Sequence, residues 1–296
     1  MTPLMPWLLP SAMCRARRSG PGLAHKPAKS RPEPDGGRRR LDEALVERGL
    51  IENRSRARAL IMAADVLVNG VVVTRAGATV QSGDGISFKV PPRFVSRGGE
   101  KLDHALSEFE IDVRGLVVAD FGASTGGFTD CLLQRGAARV FAIDVGYGQL
   151  AARLRADSRV VVIERTNVRH LESLPEQVDL VTIDVSFIGL KLVLPAARKF
   201  LKDDGRIVAL VKPQFEAGRA DVGKGGVVRD PGTHIRVLQN LFSIAEELGF
   251  GITGLTASPL RGPAGNIEFL AVLVPGVSPI AMNDAIERAL AEAHAE

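Results

Sequence analysis

Between residues 101 and 275, short apolar runs alternate with stretches of helix-like composition. Several of the runs lack polar–apolar alternation, as expected for strands that are buried on both faces of a sheet. We predict strands at Val117–Phe121, Val140–Val145, Val160–Ile163, Val178–Val185, Ile207–Val211, Ile252–Ala257 and Phe269–Val274. We predict helices between them at Thr129–Arg135, Gln149–Arg155, Leu190–Leu201 and Thr233–Leu248. This order is typical of a doubly wound α/β sheet, in which ligands bind at the carboxyl ends of the strands.

Residues 38–90 follow a different pattern and predict a small separate domain. Apolar residues at helical spacing indicate a short first helix that ends at Gly49, and Asn53 is placed to cap a second helix. The pair Asn69-Gly70 joins two short β runs and is a strong hairpin signal. "GDGISFKV" predicts a further strand. The outward face of the second helix carries Arg54, Arg56 and Arg58.

This helix–helix–strands order, with the stretch "SRARALIMAADVLVNGVVV", resembles the S4-type RNA-binding domain. The resemblance implies that Arg54, Arg56 and Arg58 contact RNA, where arginine binds phosphate and stacks on bases. Taken alone, the three arginines favour a solvated helix face, and only the pattern of the whole domain favours RNA contact. Residues 41–90 hold six basic and six acidic residues, so any RNA-binding surface on this domain must be local.

The net charge of +4 is unevenly distributed along the chain. Residues 1–40 hold nine Lys/Arg against two Asp/Glu, a balance of +7, whereas the remainder holds 29 against 32, a balance of −3. Because residues 1–37 are rich in Pro, Arg, Gly and Ser and lack apolar periodicity, we predict a disordered basic tail, with a transit peptide as the alternative. Only two cysteines and no long apolar run are present, so we expect a cytoplasmic protein without a membrane span.

A linker is predicted at residues 91–100, where Pro91-Pro92 and Gly98-Gly99 interrupt regular structure. It is basic, and Arg93 and Arg97 are further candidates for RNA binding. Lys101 opens a helical pattern that begins the large domain at residues 101–275. Residues 276–296 predict a C-terminal helix.

The stretch "VVADFGASTGGFTD" (residues 117–130) forms a glycine-rich strand-to-helix turn that fits no phosphate-binding motif. Its glycines lack the G-x-G-x-x-G spacing, the loop has no lysine, and Asp120 would repel a pyrophosphate. An acidic residue here suits a ligand that carries positive charge, such as S-adenosylmethionine, while Asp144 after the next strand suits the ribose hydroxyls. We expect the donor to be bound by Asp120, Gly122, Ala123, Ser124, Thr125, Gly126, Gly127, Asp144 and Asn167.

The stretch "GRADVGKGG" (residues 218–226) nearly matches a nucleotide phosphate loop, but Gly225 stands where a serine or threonine should bind magnesium. It also follows a strand as a long loop instead of a tight strand-to-helix turn. We therefore interpret it as a mobile loop near the mouth of the active site. No cluster of metal ligands is visible in the sequence, and we expect no metal site.

Charged residues stand where apolar strands end or begin, in "TIDVSF", "ALVKPQFE" and "GNIEFL". A charge at such an edge is costly unless it is paired or functional. Together with "SRGGEKL" and "DFGASTGGFTD", these motifs resemble the TlyA (hemolysin A) family over residues 38–275. That family consists of ribosomal RNA 2′-O-methyltransferases with an FtsJ-like domain. The resemblance implies a Rossmann-like class I methyltransferase sheet, mostly parallel with an antiparallel edge strand, and the catalytic residues Lys101, Asp184, Lys212 and Glu268.

The resemblance also implies a substrate and a set of roles. The target would be a cytidine ribose 2′-hydroxyl in ribosomal RNA of the small subunit, the large subunit or both, with no obligate protein partner. Lys212 would lie against the 2′-oxygen, either as base or as a stabilising cation, and the flanking carboxylates favour the cation. Asp184 and Glu268 would hold the two lysines, and Lys101 would orient the ribose. The competing functions are an RNA-binding protein without catalysis and a membrane-active hemolysin.

Overall fold

The computed structural model describes residues 38–262 and 264–295, so the predictions for residues 1–37 lie outside the described residues. The small domain consists of β1 (Arg39–Arg40), α1 (Leu41–Glu47), α2 (Arg54–Met62), β2 (Val66–Val68), β3 (Val71–Val72), β4 (Thr79–Val80) and β5 (Ile86–Phe88). Strands β3, β2 and β5 form an antiparallel sheet in that order, and β1 pairs with β4.

The local signals of the small domain are confirmed. The Asn53 side chain accepts a hydrogen bond of 2.9 Å from the Arg56 backbone N–H and so caps α2. Asn69 and Gly70 both have positive φ, as a two-residue hairpin turn requires. The inner faces of both helices and the strands meet in one buried cluster: Leu41, Ala44, Leu45, Ile51, Ala57, Ile61, Val66 and Val80.

The linker is shorter than predicted, because helix α3 (Gly98–Glu108) already begins at Gly98. The two glycines there permit close packing and do not break the helix. A Cβ on Gly99 would lie 2.3 Å from the Phe94 side chain, so only glycine lets the first turn of α3 pack against the linker. Lys101 therefore lies in the first turn of a helix, as predicted, but the helix starts three residues earlier.

The large domain continues in the predicted alternation. Its strands are β6 (Val117–Phe121), β7 (Arg139–Ile143), β8 (Val160–Ile163), β9 (Val178–Ile183), β10 (Leu201–Val211), β11 (Phe250–Ala257) and β12 (Phe269–Pro275). Its later helices are α4 (Gly127–Gln134), α5 (Ala152–Arg155), α6 (Leu194–Phe200), α7 (Pro213–Glu216), α8 (Pro231–Glu247) and α9 (Met282–His294). Helix α9 lies within the predicted C-terminal segment.

One seven-stranded sheet, in the order β11-β12-β10-β9-β6-β7-β8, carries the large domain. It is mostly parallel, as predicted. The antiparallel strand is β12, which pairs with both β10 and β11, so it lies one place inside the edge instead of at the edge. Neighbouring strand residues such as Val118 and Ala119 enter separate apolar clusters on opposite faces, which explains why the strands lack polar alternation.

Every helix in the described part of the chain falls short of the length or the apolar character that crossing a bilayer requires.

Candidate functional site

Four charged side chains meet at one edge of the large sheet. Asp184 follows β9 and Lys212 follows β10, so both stand at the carboxyl ends of parallel strands. Because β12 runs antiparallel to β10, Glu268 just before β12 lies at the same edge. Lys101 joins them from the first turn of α3. All four line a single cavity of about 510 Å³, which we call the catalytic cavity.

The four side chains form two ion pairs. Lys101 pairs with Glu268, and the Lys212 Nζ lies 2.6 Å from the Asp184 Oδ1. Lys212 also donates a hydrogen bond of 3.0 Å to the Ser186 hydroxyl, a residue that the sequence analysis did not single out. The first pair is almost fully buried, with the Glu268 side chain 1% exposed, whereas the Asp184 side chain is 25% exposed. Each lysine is thus matched by one carboxylate.

The glycine-rich turn approaches the site because two of its residues lack side chains. Gly122 has a φ of +85°, and a Cβ there would lie 2.6 Å from the Asp184 carbonyl oxygen. Gly126 has a φ of +96° and precedes the first turn of α4, where a Cβ would meet Leu154 at 2.3 Å. A side chain at Gly122 would push the turn away from the end of β9, whereas one at Gly126 would disturb the packing of the turn on α5.

A second cavity of about 520 Å³ lies on the other side of this turn, and we call it the donor cavity. Asp144 lines it and also fixes the backbone around it, because its Oδ2 accepts the Ser124 N–H at 2.8 Å and its Oδ1 accepts the Gly146 N–H at 2.6 Å. Asn167 lines the same cavity, and its side chain accepts the Arg169 N–H at 3.1 Å. A carboxylate has about four acceptor positions, so Asp144 retains capacity for a ligand.

The two cavities share part of their walls. Five residues line both of them: Gly122, Ser124, Asp184, Ser186 and Phe187. Of the other residues predicted to bind the donor, three line the catalytic cavity only: Ala123, Thr125 and Gly127. A ligand in one cavity is therefore adjacent to a ligand in the other, which is the arrangement that a direct group transfer needs.

Asp120 is placed differently from the prediction. It lines neither the catalytic nor the donor cavity, and its carboxylate is fully buried. Its oxygens accept hydrogen bonds from the Thr129 hydroxyl at 2.7 Å and from the Thr182 hydroxyl at 3.0 Å. Asp120 thus joins β6 to β9 and α4 beneath the turn, and burial raises its pKa to about 7. Gly126 likewise lines neither cavity.

Phe187 is an exposed aromatic residue that the sequence analysis missed. Its side chain borders both cavities, the residue is 90% exposed, and its φ of 64° is unusual for a residue with a side chain. Its ring lies 5.0 Å from the Phe215 ring, and the Lys212 Nζ is 5.9 Å from the Phe215 ring centroid. The only signal in the sequence was its place directly after the Asp184 turn.

The small domain contributes to the catalytic cavity. Glu52 and Asn53, just before α2, line its wall together with Arg97. The Arg97 Nε lies 3.7 Å from the Glu52 carboxylate and has no hydrogen-bond partner among residues 38–262 and 264–295. Arg97, predicted to contact RNA, therefore faces the cavity at the junction of the two domains.

The other predicted RNA-binding arginines are distributed over two places. Arg54 and Arg58 both contact Asp42, whereas Arg56 is partly buried on the same helix. Arg93 is ion-paired with Asp103 and lies over the Phe94 ring at 4.7 Å, away from both cavities. The structure thus groups Arg54 and Arg58 at Asp42, whereas Arg56 and Arg93 lie apart from that group, so the three α2 arginines do not share one outward face as predicted.

The loop at residues 218–226 lies at the catalytic cavity, in agreement with its predicted position. Gly223 and Val227 form an isolated antiparallel bridge, and Gly226 lines the cavity. The buried Asn266 side chain holds this loop through both polar atoms of its amide. Its Oδ1 accepts the Val228 N–H and its Nδ2 donates to the Gly226 carbonyl, both at 2.9 Å. This geometry is that of a surface loop and not of a strand-to-helix phosphate loop.

Two family models match the chain. The FtsJ-like methyltransferase model covers residues 94–274, and the S4 domain model covers residues 39–86. The first match contains the donor cavity and all residues named above at the catalytic cavity except Glu52 and Asn53, and the second contains β1, α1, α2 and strands β2 to β4.

Individual proteins are similar over most of the chain. The 16S/23S rRNA (cytidine-2′-O)-methyltransferase TlyA of Mycobacterium tuberculosis is 46% identical over 263 residues, which are 86% of this chain and 98% of that protein. Hemolysin A of Brachyspira hyodysenteriae is 44% identical over 235 residues, which are 78% of this chain and 98% of that protein. A solved structure from Streptococcus thermophilus that carries a hemolysin name has a TM-score of 0.70 at 41% identity, covering 87% of this chain and 97% of that one.

Proposed function

The chain belongs to the TlyA family of FtsJ-like methyltransferases, and from this premise we propose that it methylates a cytidine ribose 2′-hydroxyl in ribosomal RNA with S-adenosylmethionine as donor. The family resemblance inferred from the sequence motifs is thereby confirmed. One observation carries the proposal: the two ion pairs of the catalytic cavity share a wall with a second cavity built on the glycine-rich turn.

The donor cavity fits S-adenosylmethionine in the chemistry of its walls. When bound, this donor supplies an electrophilic methyl group on a sulfonium. Gly122 keeps the turn packed against the Asp184 backbone at the cavity wall, where a side chain would not fit, and Asp144 offers carboxylate oxygens to ribose hydroxyls. Ser124 and Asn167 add polar groups on the same wall. We assign Asp120 an indirect role, because its carboxylate supports the turn from below.

The catalytic cavity is suited to activating a hydroxyl group. A ribose 2′-hydroxyl is a weak nucleophile, and its attack develops negative charge on the oxygen. Because Lys212 is ion-paired with Asp184, we assign it the role of the cation that stabilises this charge. Asp184 and Ser186 fix the Lys212 ammonium from two sides. Lys101, held by Glu268, lies across the same cavity, where it would orient the ribose.

Phe187 supports the assignment to a nucleotide substrate. Unstacked RNA bases in loops and bulges stack on aromatic side chains of the proteins that bind them. Phe187 is exposed, borders the catalytic cavity and is backed by Phe215. We propose that the target base stacks on Phe187 while its ribose faces Lys212.

Membrane lysis, which the hemolysin names of some relatives suggest, is not favoured. It would leave the paired lysines and the shared wall of the two cavities without a role, whereas methyl transfer uses both. The same features disfavour an RNA-binding protein without catalysis, because RNA binding alone needs no donor cavity.

The experiment is transfer of a labelled methyl group to purified bacterial ribosomal subunits, followed by mapping of the modified nucleotide. We expect label in RNA, with 2′-O-methylation at cytidine. Free small- and large-subunit RNA, tested in parallel, show whether the assembled subunit is needed. Absence of label in all four substrates, from protein that binds the donor in calorimetry, would contradict the proposal.

Asp144→Ala tests the donor cavity separately. We expect the Kd for S-adenosylmethionine to rise about tenfold, since the variant loses an acceptor and the anchor of the Ser124 backbone, while RNA binding changes little. Asp203→Ala removes a carboxylate that is 98% exposed elsewhere on the same domain and serves as control. Equal losses of donor and RNA affinity in Asp144→Ala would show that the residue acts on folding and not on the donor.

A further inference from the structure

Three arginines converge on one buried carboxylate in the small domain, and we call this group the Asp42 cluster. Asp42, on α1, is fully buried. Its Oδ1 accepts a hydrogen bond of 3.0 Å from the Arg40 Nε. Its Oδ2 accepts bonds of 2.8 Å from the Arg58 Nε and 3.2 Å from an Arg54 Nη. The cluster thus joins three elements, because Arg40 lies in β1, Asp42 in α1, and the other two arginines in α2.

The cluster carries more positive charge than its buried acid requires. One guanidinium is enough to neutralise one carboxylate, and further cations at the same point repel one another. Glu43 takes part of the surplus, because its carboxylate lies 3.1 Å from the second Nη of Arg54. With Glu43 included, the group contains three guanidinium groups and two carboxylates, so it carries a net charge of +1. An ion pair with a purely structural role does not need this excess.

Asp42 is firmly held in its charged form. Burial opposes ionisation, but hydrogen bonds from Arg40, Arg58 and Arg54 outweigh that effect and hold the pKa of the carboxyl well below its usual range. The acid therefore keeps its full charge at physiological pH and acts as a fixed anchor for the three guanidinium groups.

The outer sides of the arginines remain open to an anion. The side chains of Arg40, Arg54 and Arg58 are 45%, 47% and 50% exposed. A guanidinium has five N–H donors in a planar fork, of which Asp42 uses only one or two in each case. The donors that Asp42 leaves unused belong to half-exposed side chains, and the planar fork of a guanidinium matches phosphate oxygens.

The cluster also lies beside the catalytic cavity. Arg54 is the first residue of α2, and the two residues before it, Glu52 and Asn53, line that cavity. An RNA strand whose nucleotide occupies the cavity would continue past this end of α2. The phosphates next to the target nucleotide are then the anions that meet the arginines.

We propose that Asp42 is a positioning residue that fixes Arg40, Arg54 and Arg58 as a pre-formed site for the RNA phosphates flanking the target nucleotide. The proposal rests on the proposed function for the identity of the ligand. It assigns affinity and register to this site, because phosphate contacts position a nucleic acid without reading its sequence.

Asp42→Asn tests the proposal through the sign of its effect. The substitution removes a negative charge, so RNA would bind more tightly if charge alone mattered. If Asp42 positions the arginines, RNA binds more weakly, and we expect KM for ribosomal subunits to rise about tenfold, with a smaller effect on kcat. Glu47→Gln is the matched control, since it makes the same charge change on the same helix at a pair with Arg39 that is exposed. We expect its KM to stay equal or fall.

Arg58→Lys covers the case in which Asp42→Asn fails to fold. It keeps the positive charge but loses the planar fork, so we expect a KM for RNA at least threefold higher and an unchanged Tm. Subunit affinity equal to or above that of Glu47→Gln in a folded Asp42→Asn variant, or wild-type affinity in Arg58→Lys, would overturn the proposal. Binding is measured without donor by co-sedimentation of the labelled protein with subunits, so a failure of methyl transfer by the wild type would be recognised separately.

Discussion

Basic residues meet carboxylates in two regions of this protein, and the two regions differ in how the charges are matched. In the catalytic cavity, Lys101 and Lys212 each have one acid, and none of these side chains is more than 25% exposed. In the Asp42 cluster, three half-exposed arginines share one buried carboxylate. Matched charges keep a buried site neutral until negative charge develops on a reacting atom. Surplus charge attracts an anion from solution.

The choice of basic residue follows the same division. Lysine offers a compact charge that two neighbours can aim, as Asp184 and Ser186 aim the Lys212 ammonium. Arginine keeps free donors after it has bound one carboxylate, which suits a residue that must hold an acid and a phosphate together.

Glu268→Gln should have the largest effect. It leaves Lys101 as an unpaired cation in a site that is nearly closed to solvent, and breaking such a buried pair costs about 3–5 kcal/mol of unfolding free energy. Urea unfolding of the wild type and of the Glu268→Gln variant measures this cost. Asp184→Asn is the matched variant, because Asp184 is more exposed and Lys212 keeps Ser186. Equal destabilisation by both variants would show that burial does not govern these pairs.

Lys212→Met should lower the rate of methyl transfer by about a hundredfold to a thousandfold, the usual cost of removing a group that stabilises a developing oxyanion. A single-turnover assay with saturating donor and subunits isolates this step. Lys212→Arg keeps a cation next to Asp184, and we expect it to retain part of the activity. If Lys212→Arg is as inactive as Lys212→Met, the proposed role of Lys212 as a cation is wrong and a base is indicated.

Asp120 represents a third arrangement, a buried carboxylate bound by hydroxyls and not by cations. Burial raises its pKa to about 7, against hydrogen bonds from Thr129 and Thr182 that lower it. Between its ordinary value of 3.8 and about 7, the folded protein holds a proton that the unfolded chain has lost. This contribution to stability therefore decreases as pH rises through that window, by about 1.4 kcal/mol per pH unit.

Asp120→Asn removes this titration. We expect the difference in unfolding free energy between wild type and variant to shift by about 2 kcal/mol in favour of the variant between pH 5 and pH 7, since the folded-state carboxyl is half ionised at the upper pH. Urea unfolding at the two pH values measures it. Asp203→Asn, at a side chain that is 98% exposed, should show no such shift. A difference that is independent of pH would mean that Asp120 titrates near its ordinary value.

Much of the sheet could be predicted because its strands are buried on both faces. The predicted bounds Val117–Phe121 and Val160–Ile163 agree with β6 and β8. Strand β10 begins at Leu201, six residues before the predicted start, because its first half is polar. Backbone pairing such as Leu201 with Val178 extends a strand without apolar side chains, and the Lys202 ammonium pairs with Asp179. Hydrophobicity alone does not detect such an extension.

Prediction of the site residues from the sequence was limited in the same way, because sequence position alone does not show burial. Asp184 and Lys212 were recognisable because a charge that ends an apolar strand needs a partner, and they lie 2.6 Å apart. Asp42 and Phe187 were not recognisable, since one acid in a mixed helix and one aromatic in a turn are ordinary in sequence. Asp42 is fully buried and Phe187 is 90% exposed, the opposite of what is usual for an acidic and an aromatic residue. Only the three-dimensional structure shows this. Asp120 was expected to contact the donor but lines neither cavity. A position at the end of a strand does not show whether the side chain faces a cavity or the core.

Arg54→Ala should have the smallest effect on stability and so completes the comparison. Asp42 keeps Arg40 and Arg58, so we expect a change in unfolding free energy below about 1 kcal/mol, far less than for Glu268→Gln. RNA binding should still weaken. The slope of log affinity against log salt concentration should become less steep by the amount that corresponds to the loss of about one phosphate contact. Arg139→Ala, which breaks an exposed pair with Glu176, should match its stability change without the change in salt slope. A large loss of stability in Arg54→Ala would show that all three arginines are needed to keep Asp42 buried, and the surplus charge would then be structural.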